Sequence, residues 1–130
     1  MKNKQWHIEN KNILITGSSR GIGFYTALGL AEKGAHMIVV SHDEEHCTTA
    51  VRQITEKYGD NSARYYLADL SSLSEIREFA KKIKQDYDQI DVLINNVGAW
   101  FSKYRESEDG IEMTFALNHL SYFLLTGLLL

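Results

Sequence analysis

A chain of 130 residues is long enough for one compact domain and too short for two. Its 44% hydrophobic and 24% charged content is that of an ordinary globular chain, and a net charge of −3 argues against a general nucleic-acid binder. A single cysteine, Cys47, excludes an internal disulfide and fits a reducing compartment, so a cytoplasmic setting is expected.

Met1 to Asn12 read as a polar lead-in. Three lysines are followed by no apolar core, so the segment is not a signal peptide. Trp6 and Ile8 are expected to dock on the domain edge. Ile13-Leu14-Ile15-Thr16 is short, apolar and β-branched, the pattern of a strand buried on both faces. The turn Thr16-Gly17-Ser18-Ser19-Arg20-Gly21-Ile22-Gly23 follows. It opens a helix from Phe24 to Lys33, with Ala27, Leu30 and Ala31 on one stripe and Gly34 as its stop. A strand, a glycine-rich turn and a helix in that order aim backbone N–H groups at an anion, usually a phosphate.

His36 to Val40 form the second predicted strand, which exits through Ser41-His42-Asp43. Residues 44–58 have helix composition, with Ala50, Val51, Ile54 and Tyr58 on one side, and Gly59-Asp60-Asn61 closes the segment. Ala63 to Leu67 is the third strand, leaving through Ala68-Asp69-Leu70. Ser71 or Ser72 then caps a helix with Glu75 in its first turn, and Ile76, Phe79, Ala80, Ile83 and Tyr87 repeat at helical spacing. Ile90 to Ile94 is the fourth strand, exiting through Asn95-Asn96-Val97-Gly98. A polar loop, Ser102 to Asp109, precedes Gly110 to Leu130, read as one long, largely buried helix. The longest apolar run, around Tyr122 to Leu130, is well short of the ~20 residues of a membrane span.

Strands alternating with helices predict an α/β fold, a doubly wound, Rossmann-like parallel sheet of order 3-2-1-4 occupying residues 1–130 as one domain. The polar strand exits then fall on one edge, where such sheets bind ligands. His7, His36, His42 and His119 show no metal-ligand spacing, so no metal is expected. Cys47, beside His46, reads as an inert helix residue, and Lys81, Lys82 and Lys84 as a solvated face among Glu78, Asp86 and Asp88.

The glycine spacing departs from G-x-G-x-x-G. Gly17-x-x-x-Gly21-x-Gly23 resembles the T-G-x-x-x-G-x-G turn of the short-chain dehydrogenase/reductase family. Asp69-Leu70 is similar to the family's aspartate after the third strand, placed near the adenine, and Asn95-Asn96-Val97-Gly98 to its N-N-A-G, with valine for alanine. Asn118 in Phe115-Ala116-Leu117-Asn118-His119 matches its mid-helix asparagine. The wording of Asp69-Leu70-Ser71-Ser72-Leu73, Asp109-Gly110-Ile111-Glu112 and Asn118-His119-Leu120 resembles the retinol-dehydrogenase-like branch. The resemblance covers about residues 10 to 130 and implies hydride transfer between a nicotinamide cofactor and a carbonyl or alcohol. It implies a cofactor site from Gly17, Ser18, Ser19, Arg20, Gly21, Ile22 and Gly23, with Ser41, His42, Asp69, Leu70, Asn96 and Gly98. Asn96 and Gly98 are expected beside the adenosine ribose, and Val97 is expected to narrow that pocket slightly. Gly21 and Gly23 are expected to admit the cofactor and the next helix.

An NAD site usually carries a carboxylate at the end of the second strand for the ribose 2′-OH. Ser41 and His42 stand there, and a carboxylate appears only at Asp43. Arg20, before Gly21, resembles the family's contact to a 2′-phosphate. NADP is therefore expected, with NAD as the alternative.

The family's Tyr-x-x-x-Lys acid–base pair is absent: the residues four beyond the seven tyrosines are Gly29, Ser62, Asp69, Leu70, Asp91, Glu108 and Thr126. The catalytic set is left with Asn118, whose role by resemblance is ordering a water and a helix bend. The expected fold is thus truncated after the fourth strand and its following helix, the cofactor-binding half of the oxidoreductase, inactive by itself. That leaves an open edge on the fourth strand and an apolar last helix, a surface for a second copy. The alternatives are a dinucleotide-binding or dimerising module without catalysis and a non-functional gene fragment.

Overall fold

The computed structural model describes residues 6–130; Met1 to Gln5, the start of the expected lead-in, lie outside the described residues. The strands are β1 (Asn12–Thr16), β2 (His36–Ser41), β3 (Ala63–Leu67) and β4 (Val92–Ile94). All pair in parallel in the order β3-β2-β1-β4, as the alternation of elements predicts. The crossovers are α1 (Gly21–Glu32), α2 (Glu44–Tyr58) and α3 (Leu73–Asp86).

Period-two alternation of apolar residues splits each inner strand between two helical layers. Leu14, Ile38 and Val40 face Ile76, Phe79, Ala80 and Ile83 of α3. Ile13, Ile15, Met37 and Val39 face Ala27 and Ala31 of α1 and Cys47 and Ile54 of α2. Both faces are covered, which is why β1 and β2 read as continuous apolar runs rather than alternating ones. Asp43 caps α2 by accepting from the His46 N–H, and Ser72, not Ser71, caps α3 by accepting from Glu75.

Besides shifts of one residue at the ends of β1, β2 and α1, three larger boundaries differ from the sequence reading. Helix α1 begins at Gly21, inside the glycine turn, and not at Phe24. The fourth strand is Val92–Ile94; Ile90 packs on the core below it, while Asp91 takes the N–H of Asn12 on a carboxylate oxygen at 2.9 Å. The expected single helix over 110–130 is three contiguous pieces: α4 (Met113–Phe115), a π-helical turn (Ala116–Leu120) and α5 (Ser121–Leu129). Its start is set by Glu112, whose carboxylate accepts the N–H groups of Thr114 and Phe115. Ile8 docks on the sheet's α1/α2 face, but Trp6 stands exposed.

Candidate active site: a cleft over the glycine turn

The turn after β1 is built by backbone geometry. Gly17 sits at φ +64°, and a Cβ there would lie 2.8 Å from the Val97 Cα. Gly23 is tighter: a Cβ would meet the Gly17 carbonyl at 2.5 Å and the Asn96 Nδ2 at 2.6 Å. Gly23 therefore serves the approach of α1 to the turn, as the sequence implies. No atom of the chain lies near the missing Cβ of Gly21, and its φ of +58° calls for glycine.

Thr16 and Asn96 clamp this turn to the β4 exit. The Thr16 hydroxyl oxygen accepts from the backbone N–H groups of Asn96 and Val97, at 2.9 and 3.0 Å. The Asn96 amide donates to the carbonyls of Thr16 and Gly17. Ser18 is fully buried; its hydroxyl donates to the Ile15 carbonyl and accepts from Val40 N–H. Its side chain is therefore part of the scaffold and points away from the cleft. Arg20 is the residue before α1 and lends no side-chain cap, so the first N–H groups of the helix stay open toward the cleft.

The cleft above these residues has a volume of about 590 Å3, within the range of small-molecule sites. Gly17, Ser19, Arg20, Ile22 and Gly23 form its floor; Ser41 and His42, Asp69 and Leu70, and Asn96 and Gly98 come from the other three strand exits. The four exits thus converge as the strand order requires. Ser18, Gly21 and Asn118 are not among its lining residues. Val97 does line it, pressed against Gly17.

The polar groups around the cleft are already partly committed. One Asp69 oxygen accepts from the Ser71 N–H and hydroxyl, at 2.9 and 2.7 Å. Asp43 binds its own helix and sits 3.1 Å from the His46 imidazole. The His46 N–H holds its carboxyl below the usual range, with His46, His42 and Arg20 adding favourable charge. Arg20 forms no ion pair among the described residues. Cys47 lies buried beneath, its thiol pushed up to about 11 by desolvation, so it is inert as expected.

Asn118 sits in the π-helical turn and exchanges two hydrogen bonds with Ala99: it accepts the N–H at 2.9 Å and donates to the carbonyl at 2.8 Å. It thereby pins the chain leaving Gly98. The Tyr122 hydroxyl donates to the Val97 carbonyl, pinning the same strand exit to α5.

Among the lining residues that escaped the sequence reading are Phe101 and Arg105, the guanidinium lying 5.0 Å over the Phe101 ring. Arg105 comes from the loop read only as polar, and Phe101 stands just before that loop. The loop folds back through a Glu106–Glu112 bridge, and Glu108 and Asp109 accept from Ser72, Ser74 and the Leu73 N–H at the start of α3. The alternation of acidic and serine residues carries no periodicity that would announce this docking. Among the described residues no cluster of metal-ligating side chains occurs.

The short chain dehydrogenase family model matches residues 11–130. The chain belongs to the short-chain dehydrogenase family. It is 42% identical over 123 residues to human "Retinol dehydrogenase 13", covering 95% of this chain and 37% of that protein. In fold it is similar to the Pseudomonas aeruginosa RhlG/NADP complex (31% identity, TM-score 0.78, covering 95% of this chain and 46% of that one). It is similar also to an NADH-dependent reductase complexed with NAD (31% identity, TM-score 0.76, 94% and 51%). The chain therefore spans a little over a third of its curated relative and about half of these solved chains. No helix among the described residues is long and apolar enough to cross a membrane.

Proposed function

We propose that this chain is the dinucleotide-holding part of a nicotinamide-dependent oxidoreductase acting on a carbonyl or alcohol, and that it prefers NADP. The fit rests on the glycine turn: Gly17 and Gly23 let β1, α1 and the β4 exit close on one another beneath the cleft, and no side-chain cap covers the first N–H groups of α1. In this reading the turn from Gly17 to Gly23 carries the diphosphate, Asp69 and Leu70 flank the adenine, and Asn96 and Gly98 flank the ribose. When bound, the nicotinamide supplies or accepts the hydride.

The preference for NADP is carried by one observation. At the end of β2 the cleft meets Arg20 and His42, while the nearby carboxylate, Asp43, is consumed as the cap of α2. A ribose 2′-OH lacks its usual carboxylate partner there, and a 2′-phosphate gains a guanidinium. The Tyr-x-x-x-Lys pair does not occur in these 130 residues, so binding without turnover is the activity proposed for this chain alone. The setting we propose is cytoplasmic, with Phe123, the exposed apolar side chain of α5, packing against a second copy.

Trp100 is 82% exposed between the lining residues Ala99 and Phe101, and reports on the cleft. NADPH and NADH titrations followed by its fluorescence should both saturate, NADPH at lower concentration. Arg20→Ala should weaken NADPH binding by about 10- to 100-fold, the worth of a charged hydrogen bond, and leave NADH nearly unchanged. Equal losses for the two would overturn the NADP assignment.

A further inference from the structure

Arg105 lines the cleft on the wall contributed by the chain after Gly98. Resting on the dinucleotide reading above, we infer that Arg105 is an anchor for an acidic group on the substrate. The site then takes an apolar carbonyl compound or alcohol that carries a carboxylate.

The place of Arg105 is set by its backbone. Its carbonyl accepts the Met113 N–H at 2.9 Å, and the Ser107 N–H donates to the Ile111 carbonyl at 2.8 Å. With the Glu106–Glu112 bridge these bonds close residues 105–113 into a small hairpin, whose tip, Glu108 and Asp109, is fastened to the start of α3. The guanidinium then lies 5.0 Å over the Phe101 ring. That contact uses the face of the guanidinium and leaves its N–H edge for an acceptor, the geometry a carboxylate matches.

The acidic residues of the hairpin are committed elsewhere. Glu106 accepts from the Tyr104 hydroxyl at 2.7 Å, Glu108 from Ser72 and Ser74, Asp109 from the Leu73 N–H, and Glu112 from Thr114 and Phe115. None of the four lines the cleft. Asp69, which does, turns one oxygen onto Ser71. The ion pairs among the described residues are Lys11–Asp91 and His46–Asp43, so Arg105 has no counter-ion there. Arg20, the other arginine of the lining, belongs to the glycine turn and is assigned to the dinucleotide. Around Arg105 the lining is apolar: Phe101, Met113 and Leu117, all partly buried. An apolar wall with one uncommitted cation at its exposed edge suits a ligand with an apolar body and a single acid group.

The test titrates the 130-residue chain, saturated with oxidised NADP, with benzoylpropionate and with its neutral amide, each followed by two-dimensional amide NMR. The two probes share the ketone and the apolar ring and differ in the carboxylate. The carboxylate should bind about five- to tenfold more tightly, the weight of one exposed hydrogen bond between charged groups, and should shift the signals of Phe101 and Arg105. Its advantage should shrink as salt rises from about 50 to about 500 mM. Arg105→Gln should erase the advantage while the amide and NADP dissociation constants stay within about twofold. Lys103→Gln removes the same charge two residues away, outside the cleft lining, and should keep the advantage. Equal binding of the two probes, or a loss in Lys103→Gln equal to that in Arg105→Gln, overturns the inference. So does an Arg105→Gln variant that weakens NADP, because Arg105 would then hold a phosphate of the dinucleotide. If neither NADP nor NAD binds, the dinucleotide reading fails and the inference fails with it. Normal dinucleotide binding with no preference for the carboxylate sinks the inference alone.

Discussion

Replacing Gly23 by alanine should separate the glycines that shape the cleft from those that merely occur in it. The added methyl would lie 2.5 Å from the Gly17 carbonyl, 2.6 Å from the Asn96 amide and 2.8 Å from the Ser18 Cα. Two of these are backbone atoms, and the amide is held by two carbonyls, so none can yield like the tip of a long side chain. Overpacking of this kind costs about 1–3 kcal/mol. Displacing Asn96 from Thr16 and Gly17 adds about 1 kcal/mol per lost hydrogen bond. The total, about 3–5 kcal/mol, is a large part of the 5–15 kcal/mol that holds an ordinary domain together. In urea, at about 2 kcal/mol per molar, the unfolding midpoint should fall by roughly 2 M. Dinucleotide binding should be lost with it. Gly29→Ala is the matched control: Gly29 is inside α1 with nothing near its missing Cβ, so alanine should stabilise by about 0.5–1 kcal/mol. Circular dichroism through the urea transition reads both. A Gly23→Ala midpoint within about 0.3 M of the parent, a change worth under ~1 kcal/mol, would refute the close-approach argument.

Ser72→Ala removes the cap of α3 and the hydroxyl that Glu108 accepts from, and should cost about 1–2 kcal/mol by the same urea assay. It should also loosen the loop carrying Arg105, seen as faster amide exchange over residues 102–109. Asp91 accepts the Asn12 N–H and lies 3.2 Å from the Lys11 ammonium, and both hold its carboxyl below the usual range. A depressed carboxylate stabilises the fold above its unfolded pKa of about 3.9 and ceases to as pH falls through the folded value. Asp91→Asn should therefore cost about 1 kcal/mol at pH 7, and progressively less below about pH 4, read as urea midpoints across that range. Cys47 is buried with its thiol pushed up to about 11, so a thiol-specific chromogenic reagent at pH 8 should label it only at the rate of unfolding.

The sheet order was legible because it follows from few facts: four short apolar runs, each followed by a helical segment, with a glycine turn after the first. The burial of Ile13 to Thr16 and the stripe of α3 were legible for the same reason, since periodicity reports which face is covered. The break at Ala116–Leu120 was not. Ala, Leu, Asn, His and Leu are compatible with a plain α-helix, and nothing local separates it from a π-helical turn. What accompanies the widened turn is a contact 19 residues away, the Asn118 amide on the Ala99 backbone. Arg105 was missed on similar grounds, because its place depends on Glu108 and Asp109 reaching the start of α3, a pairing across more than 30 residues.

The same distinction sorts the residues of the turn. Ser18 and Ser19 are adjacent and identical, and a sequence gives no reason to separate them. The structure buries Ser18 between the Ile15 carbonyl and the Val40 N–H and leaves Ser19 lining the cleft. Buried hydroxyls of this kind serve the fold, because an unpaired partner on β1 or β2 would be costly. Thr16 extends the logic: one oxygen satisfies two N–H groups of the β4 exit, so the strand that carries the turn also positions Asn96 and Val97 opposite it. The cleft is therefore shaped by residues whose side chains face inward, Thr16, Ser18 and Asn96. Arg20 and His42, which face outward, are free to differ without disturbing it. Selectivity for the dinucleotide should for that reason be changeable by substitution at Arg20 and His42 with the unfolding midpoint unmoved, whereas no substitution at Thr16 or Ser18 should alter selectivity without first lowering stability.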